Sequence, residues 1–304
     1  MDEDGGIRNR VGREVGVKLE RALLFLYAET PVHAGADTGT GVVDLPIQRD
    51  IATQLPIIKG ETLKGALRQR FRGAAGNQWE QIFGSELPTD GGETQAGSLR
   101  VHEAQLVAFP APTMRDVFVW VTSSLAQARL ARKLRLAGLS LPTCMLEPSG
   151  SEGLSATPTE KNLIVGPYQV STRHSDELQA WARELARRAL PDEPFFQAKF
   201  AKDLLCGDES LLVGISRDCA PVVARVQLGK LDADGERTKT VAHGPFYSEY
   251  LPSETLMAAF LEGEPRDLDV VATLDKAVLQ VGGDESTGKG LMWCRIWRAD
   301  VLTS

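Results

Sequence analysis

The side chains best placed for chemistry fall in one glycine-bearing stretch, ETPVHAGADTGTGVVDLPIQRD, which carries His33 and Asp44. A loop imidazole together with a loop carboxylate suits proton transfer or metal binding. Each also has an ordinary role, because loop His is often solvated and loop Asp often closes an Asx-turn. No second His or Cys stands at zinc-ligand spacing, and no Ser-His-Asp or Cys-His arrangement is visible. A second stretch, GDESTGKG at 283–290, nearly matches a phosphate-binding P-loop. Gly290 stands where the magnesium-binding Ser or Thr belongs, however, and an apolar strand follows where the phosphate-binding helix is required. An NTPase is therefore not expected. What remains is either a backbone cradle for a phosphate, using the amides around Gly288 and the charge of Lys289, or a plain β-turn.

A third signal is cationic. Lys64, Arg68 and Arg72 recur every fourth residue, about 100° round from the apolar stripe Leu63, Leu67 and Phe71. One stripe can face a core while the next faces solvent or an anion. The helix start at Gly60 favours an anion, and Glu61 in the first turn weakens that preference. A second basic helix, Leu125 to Ala137, carries Arg129, Arg132, Lys133 and Arg135 and is read as surface or partner-facing.

The elements that must hold these groups follow from periodicity and breakers. Leu19 to Tyr27 is apolar enough for a buried strand, although its length leaves a helix open. A loop follows, bounded by Pro31 and Pro46, and then the helix from Gly60 to about Arg72. Residues 73–98 read as an exposed excursion. Strands are expected at Leu99 to Phe109, Val117 to Thr122 and Asn162 to Val170, a loop at 147–160, and a helix at Asp176 to Ala189, with Pro191 and Pro194 as breaks. From Leu211 the pattern reads as β, with a hairpin over about 222–250 tipped by Asp234-Gly235. Lys276 to Val281 and LMWCRIW close the chain as strands around the glycine run. The irregular interleaving of strands and helices predicts an α+β fold. Residues 1–17 are expected to be a flexible arm, and 18–304 a single domain with insertions.

Composition bounds the possibilities. The chain has 304 residues, of which 42% are hydrophobic and 25% charged, so wholesale disorder is excluded. No apolar run is long enough for a membrane span, and the charged, Gly-rich N-terminus does not read as a signal peptide. The four cysteines are far apart and read as reduced thiols, several in the core, in a cytoplasmic protein. A net charge of -7 means that any nucleic-acid site must be a local basic patch, with the acidity placed elsewhere.

Taken together, these pieces resemble RAMP-superfamily CRISPR proteins, and more narrowly the repeated backbone subunit of type III-B (Cmr) effector complexes. The similarity lies in the loop His33 with its glycines, then VVD-x-PIQR (Asp44, Pro46, Gln48, Arg49), then a P-x-IxG-x-x-LKG-x-hR element (Pro56, Gly60, Lys64, Gly65, Arg68). FVWVTS, RTKTVAHGPFYSEYLPSETLM and GGDESTGKGLM extend it over nearly the whole chain except the N-terminal arm. Glu61-Thr62 departs from the family, which commonly has two small hydroxyl residues there.

The resemblance implies a modified RRM-like (ferredoxin-like) palm with a β-hairpin thumb. Copies would stack head to tail along a guide RNA, beside other Cmr subunits, and cut target RNA at regular intervals in antiviral defence. Asp44 matches the cleavage position, and His33 and Glu249 match further positions near the cut. A divalent cation, magnesium or manganese, on Asp44 is the implied cofactor. Arg49, Lys64, Arg68, Gly288 and Lys289 are the candidate contacts to the RNA backbone, which one protein must grip whatever its sequence. Competing readings are the type III-A backbone subunit, a non-catalytic RNA-binding scaffold, and a solitary metal-dependent hydrolase.

Overall fold

A computed structural model describes residues 19–36, 43–73, 78–85, 94–142, 148, 152–158, 161–228 and 241–299. The N-terminal arm and the Asp234-Gly235 hairpin tip lie outside these residues.

The first strand, β1 (Glu20–Ala28), has every residue from Ala22 onward buried. Its period of two divides them between two cores. Ala22, Leu24, Leu26 and Ala28 face one side, and Leu23, Phe25 and Tyr27 the other. Next come β2 (Ile57–Ile58), α1 (Gly60–Phe71), α2 (Gln78–Phe83), β3 (Arg100–Val101), β4 (Ala104–Thr113), β5 (Val117–Ser123) and α3 (Ser124–Leu136). The middle of the chain supplies β6 (Glu152–Ser155), β7 (Asn162–Val165), β8 (Tyr168–His174), α4 (Asp176–Ala189), α5 (Pro194–Lys202), β9 (Leu204–Gly207) and α6 (Glu209–Asp218). The last part holds β10 (Val222–Leu228), β11 (Val241–Glu249), β12 (Leu256–Gly263), α7 (Pro265–Ala272), β13 (Val278–Gln280), a 3-10 turn (Glu285–Thr287) and β14 (Leu291–Arg298).

One sheet runs β13-β14-β1-β12-β4-β5-β9-β6-β8-β7, with β2 added to β4 and β3 to β12. The half from β13 to β4 is antiparallel throughout. In the other half β5–β9 and β6–β8 are parallel, and a β4–β7 pair at Thr113 and Val165 turns the sheet back on itself. Helices cover both faces. Leu63, Leu67 and Phe71 of α1 join the core that receives Leu24 and Leu26, with Leu268 and Val271 of α7. Leu130 and Leu134 of α3 and Leu178, Trp181 and Leu185 of α4 join the opposite core. The architecture is thus mixed, with mostly antiparallel pairing.

Five local expectations change. LLVGIS is part of α6, because Asp208 caps that helix by accepting from the Leu211 amide (2.8 Å) and Leu212 and Ile215 bury one face. Pro194 opens α5 instead of only breaking the chain, as Pro does at a first helical position. Asn162 to Val170 divides at Gly166 (φ +55°) into the hairpin β7–β8. The 147–160 loop contains β6, which pairs with β8 and β9. The 73–98 excursion contains α2, whose Trp79, Ile82 and Phe83 are buried beside Phe71. The paired strands β10 and β11 stand apart as a two-stranded ribbon, whose register shifts near Arg225 and Gln227 increase its twist.

Candidate functional site

The chain on either side of the Gly-rich loop forms a short antiparallel pair. Gly35 bridges Ile47, and the Gln48 amide donates to Ala34 O (2.8 Å). This pair packs onto the end of the ribbon: Val32 bridges Leu251, and Leu45 pairs with Ser248. His33 and Asp44 are therefore carried on one support, the backbone from Tyr247 to Leu251. His33 Nδ1–H donates to Glu249 O (2.8 Å), which assigns the tautomer and leaves Nε2 as the open nitrogen. A side chain at Gly35 would sit 2.7 Å from that Nε2, so glycine keeps the space beside it clear. Asp44 is exposed, and its Oδ2 accepts from the Tyr247 amide (2.7 Å).

PIQR is a staple. Gln48 is buried, donating to Gly35 O (2.9 Å) and accepting from the Lys59 amide (2.9 Å), so it joins the loop to the start of α1. The buried Glu249 carboxylate takes the Ile47 amide on one oxygen (3.1 Å) and Arg49 on the other (2.6 Å). Arg49 also donates to Ser216 and to Gln54 O. Both Glu249 and Arg49 are thus engaged in holding the loop, and Arg49 lends its guanidinium to internal partners.

The glycine run docks beside His33. The Gly283 amide donates to His33 O (3.0 Å), and at Gly282 (φ +80°) a Cβ would fall 2.3 Å from that same oxygen. The run contains one short 3-10 turn before β14, with no helix, as the misfit to a P-loop predicts. Gly288 is left-handed (φ +72°) with open space around it, and Lys289 Nζ lies 5.8 Å from the Tyr250 ring centre. The Tyr250 ring is itself tilted against His33 at 5.5 Å. Asp284, also left-handed (φ +65°), accepts from Arg225 of β10 and from Tyr250 Oη (2.8 Å).

A separate groove of about 1010 Å³ lies between α1, β3 and α3, lined by Lys59, Lys64, Arg100, Arg129, Arg132 and Lys133. Six cations against Glu61 and Glu103 reverse locally the sign of a chain with net charge -7. Burial pushes Lys64 down from its ordinary value while its Nζ donates to Leu99 O (2.8 Å). Arg68 points away from the groove, donating to Ser85 O (3.5 Å). The sequence signal for the groove was present, in the basic helix Leu125 to Ala137. Only folding shows that its Arg129, Arg132 and Lys133 face Lys64.

The RAMP superfamily model matches residues 25–293. The chain belongs to the RAMP superfamily. Within it, the sequence is 30% identical over 302 residues to the CRISPR system Cmr endoribonuclease Cmr4 of Pyrococcus furiosus, covering 89% of this chain and 93% of that one. In fold it is similar to oligomeric Cmr4 from Pyrococcus furiosus, with a TM-score of 0.71 at 22% identity over 93% and 99% of the two chains. A chain of the type III-B Cmr-beta complex bound to cognate target RNA is similar too, with a TM-score of 0.70 at 19% identity over 91% and 96%. The RAMP chain has no helix among its described residues long and apolar enough to cross a membrane. Nor do three or more His, Cys, Asp or Glu side chains converge into a metal cage among those residues. The donors present fit a water-rich cation of the magnesium kind, which takes one or two carboxylates and fills its shell with water and substrate phosphate. Asp44 is an exposed carboxylate of this kind, whereas Glu249 is buried and bound to the Ile47 amide and Arg49.

Proposed function

We propose that this RAMP protein is the repeated backbone subunit of a type III-B RNA-guided effector complex, acting in the cytoplasm in antiviral defence. It lines up head to tail with further copies, beside other Cmr subunits, along a guide RNA, and it cuts complementary target RNA beside each copy. The observation that carries the reading is the exposed Asp44 carboxylate, fixed to the ribbon backbone at Tyr247 and sharing its support with His33. On this reading the antiparallel half of the sheet with α1 and α7 is the RRM-like palm, and the β10–β11 ribbon is the thumb that interrupts the guide–target duplex.

RNA supplies its own nucleophile, so the protein must align the 2′-OH with the phosphorus and manage two protons. Asp44 takes the proton of the 2′-OH as the O2′–P bond forms. His33 Nε2, when protonated, delivers a proton to the leaving O5′ as the P–O5′ bond breaks. The products are a 2′,3′-cyclic phosphate and a 5′-OH. In the alternative role, Asp44 would hold a divalent cation that would neutralise charge on the phosphate. Glu249 and Arg49 position the loop that bears Asp44. The guide backbone follows the basic groove at Lys64, with Gly288 and Lys289 as further contacts, and Arg68, which turns away from the groove, meets the RNA backbone outside it. Because these groups meet phosphates, they serve any guide sequence.

Assembled complex is mixed with complementary RNA and magnesium. Wild type is expected to give regularly spaced products and Asp44→Ala at least a hundredfold slower cutting, with guide and target still bound. Cutting at the wild-type rate by an assembled Asp44→Ala complex overturns the assignment. Chelation isolates the cation: an unchanged rate removes the cation and leaves the proton role of Asp44.

A further inference from the structure

Asp44, assigned to the cut, and Gly288 and Lys289, assigned to the RNA backbone, stand on two different elements. Asp44 is attached to the ribbon, through the Tyr247 amide on β11. Gly288 and Lys289 stand on the glycine run between β13 and β14. Asp284 is where these elements meet. Its carboxylate, with the side chain 14% exposed, takes Arg225 Nη1 on one oxygen and Tyr250 Oη on the other. Arg225 pairs across the ribbon with Phe246, and its neighbour Ala224 pairs with Tyr247, the residue that holds Asp44. On the backbone side, Asp284 O accepts from the amides of Thr287 (2.9 Å) and Lys289 (3.4 Å), so the same residue shapes the Lys289 turn. Gly283, one position earlier, bridges to His33.

Charge supports the geometry. Burial works to raise the Asp284 carboxyl, but the bonds from Arg225 and Tyr250 and the nearby charges of Arg225 and His33 outweigh it and hold the group below its ordinary range. Asp284 is therefore ionised at neutral pH in a place where both partners are donors. It adopts a left-handed backbone, which Asp and Asn accept better than most residues.

We infer that Asp284 is a positioning residue for RNA cutting. It latches the root of the ribbon, through Arg225, to the glycine run, and thereby holds Asp44, with the support it shares with His33, at a fixed place relative to Lys289. The inference rests on the cleavage reading above and adds to it the joint that sets the geometry. Rupture of the latch leaves each element folded and each RNA contact present, but lets the carboxylate wander from its in-line position. A misplacement on the order of 1 Å is enough to cost about a hundredfold in rate.

The test uses complex assembled with guide RNA and single-turnover cutting of saturating target, with Asp284→Asn, Arg225→Ala and the double variant beside wild type and Asp44→Ala. Asn keeps the backbone conformation and the Tyr250 bond but loses the charge. Each single variant is expected to cut at least tenfold more slowly, with target affinity within twofold of wild type, and the double variant to be no slower than the worse single. Arg225→Lys is expected to recover part of the rate, because it restores a cation to Asp284. Wild-type cutting by Asp284→Asn overturns the inference, as do multiplying losses in the double variant or a fall in affinity that accounts for the fall in rate. If wild type itself does not cut, or Asp44→Ala cuts normally, the cleavage reading fails, and the latch fails with it.

Discussion

Lys133 stands in the basic groove with its ammonium donating to the Gln105 side chain. Burial pushes it down to about 8; Glu103 opposes the fall, and Arg129 and Arg132 add to it. Between that value and the ordinary one near 10.5 the unfolded chain holds the proton more firmly. The Lys133 contribution to stability therefore rises with pH across that window, and its penalty is fully present below it. A bound phosphate works the other way, because it favours the charged form. Guide-RNA affinity is thus expected to weaken several-fold as pH rises from 7 to 9, while Lys133→Arg, which stays charged, flattens that response. Lys133→Ala should lower the slope of log affinity against log salt by about 0.7, the share of one single-strand phosphate contact. Equal pH profiles for wild type and Lys133→Arg would place Lys133 away from the RNA. The same attention to partners separates Arg49 from Lys289. Arg49 is spent on Glu249, Ser216 and Gln54, while Lys289 approaches only the face of Tyr250 among the described residues.

Helix α1 has two jobs, and its sequence separates them by angle. Leu63, Leu67 and Phe71 enter the core, and Lys64 and Arg68 lie on the neighbouring face. Leu67 is fully buried, so Leu67→Ala leaves a cavity and is expected to cost about 2–5 kcal/mol. Urea denaturation reads this as a lower midpoint at an unchanged slope. A loss under about 1 kcal/mol would mean that α1 is not anchored as the core indicates. Two elements resisted reading from sequence for distinct reasons. In α6, the β-branched and apolar run LLVGIS matches either period, and the cap at Asp208 decides it. In α2, six residues are too few for a periodic signal, and the helix owes its place to Trp79, Ile82 and Phe83 packing near Phe71.

The whole molecule carries -7 overall yet lines one groove with six cations, so its attraction for RNA is local and directional. The ribbon extends this asymmetry. Val222, Val223, Val226, Val241, Phe246 and Tyr247 are exposed on it, an apolar surface suited to a partner. In the proposed filament, that partner is the neighbouring copy with its RNA. Titration with guide RNA is expected to give species that grow by successive steps of 33.0 kDa, read by mass photometry. Saturation at one copy per guide would contradict the filament.

The sequence alone determined what local forces decide. The helices α1, α3 and α4 and the buried character of the β1 segment were legible in local pattern, while strand or helix was left open for β1, and the glycine run followed by a strand argues against an NTPase fold. The PIQR and LKG motifs also pointed to the family before any coordinates. Tertiary structure decided which charges remain for a ligand. Arg49 and Glu249 lie 200 residues apart and neutralise each other, and Arg129 pairs with Asp50, whereas Arg132 and Lys133 line with Lys64 a groove that no local pattern encodes. The physical reason is that periodicity reports which face of an element is buried, while the pairing of distant charges depends on how the elements pack.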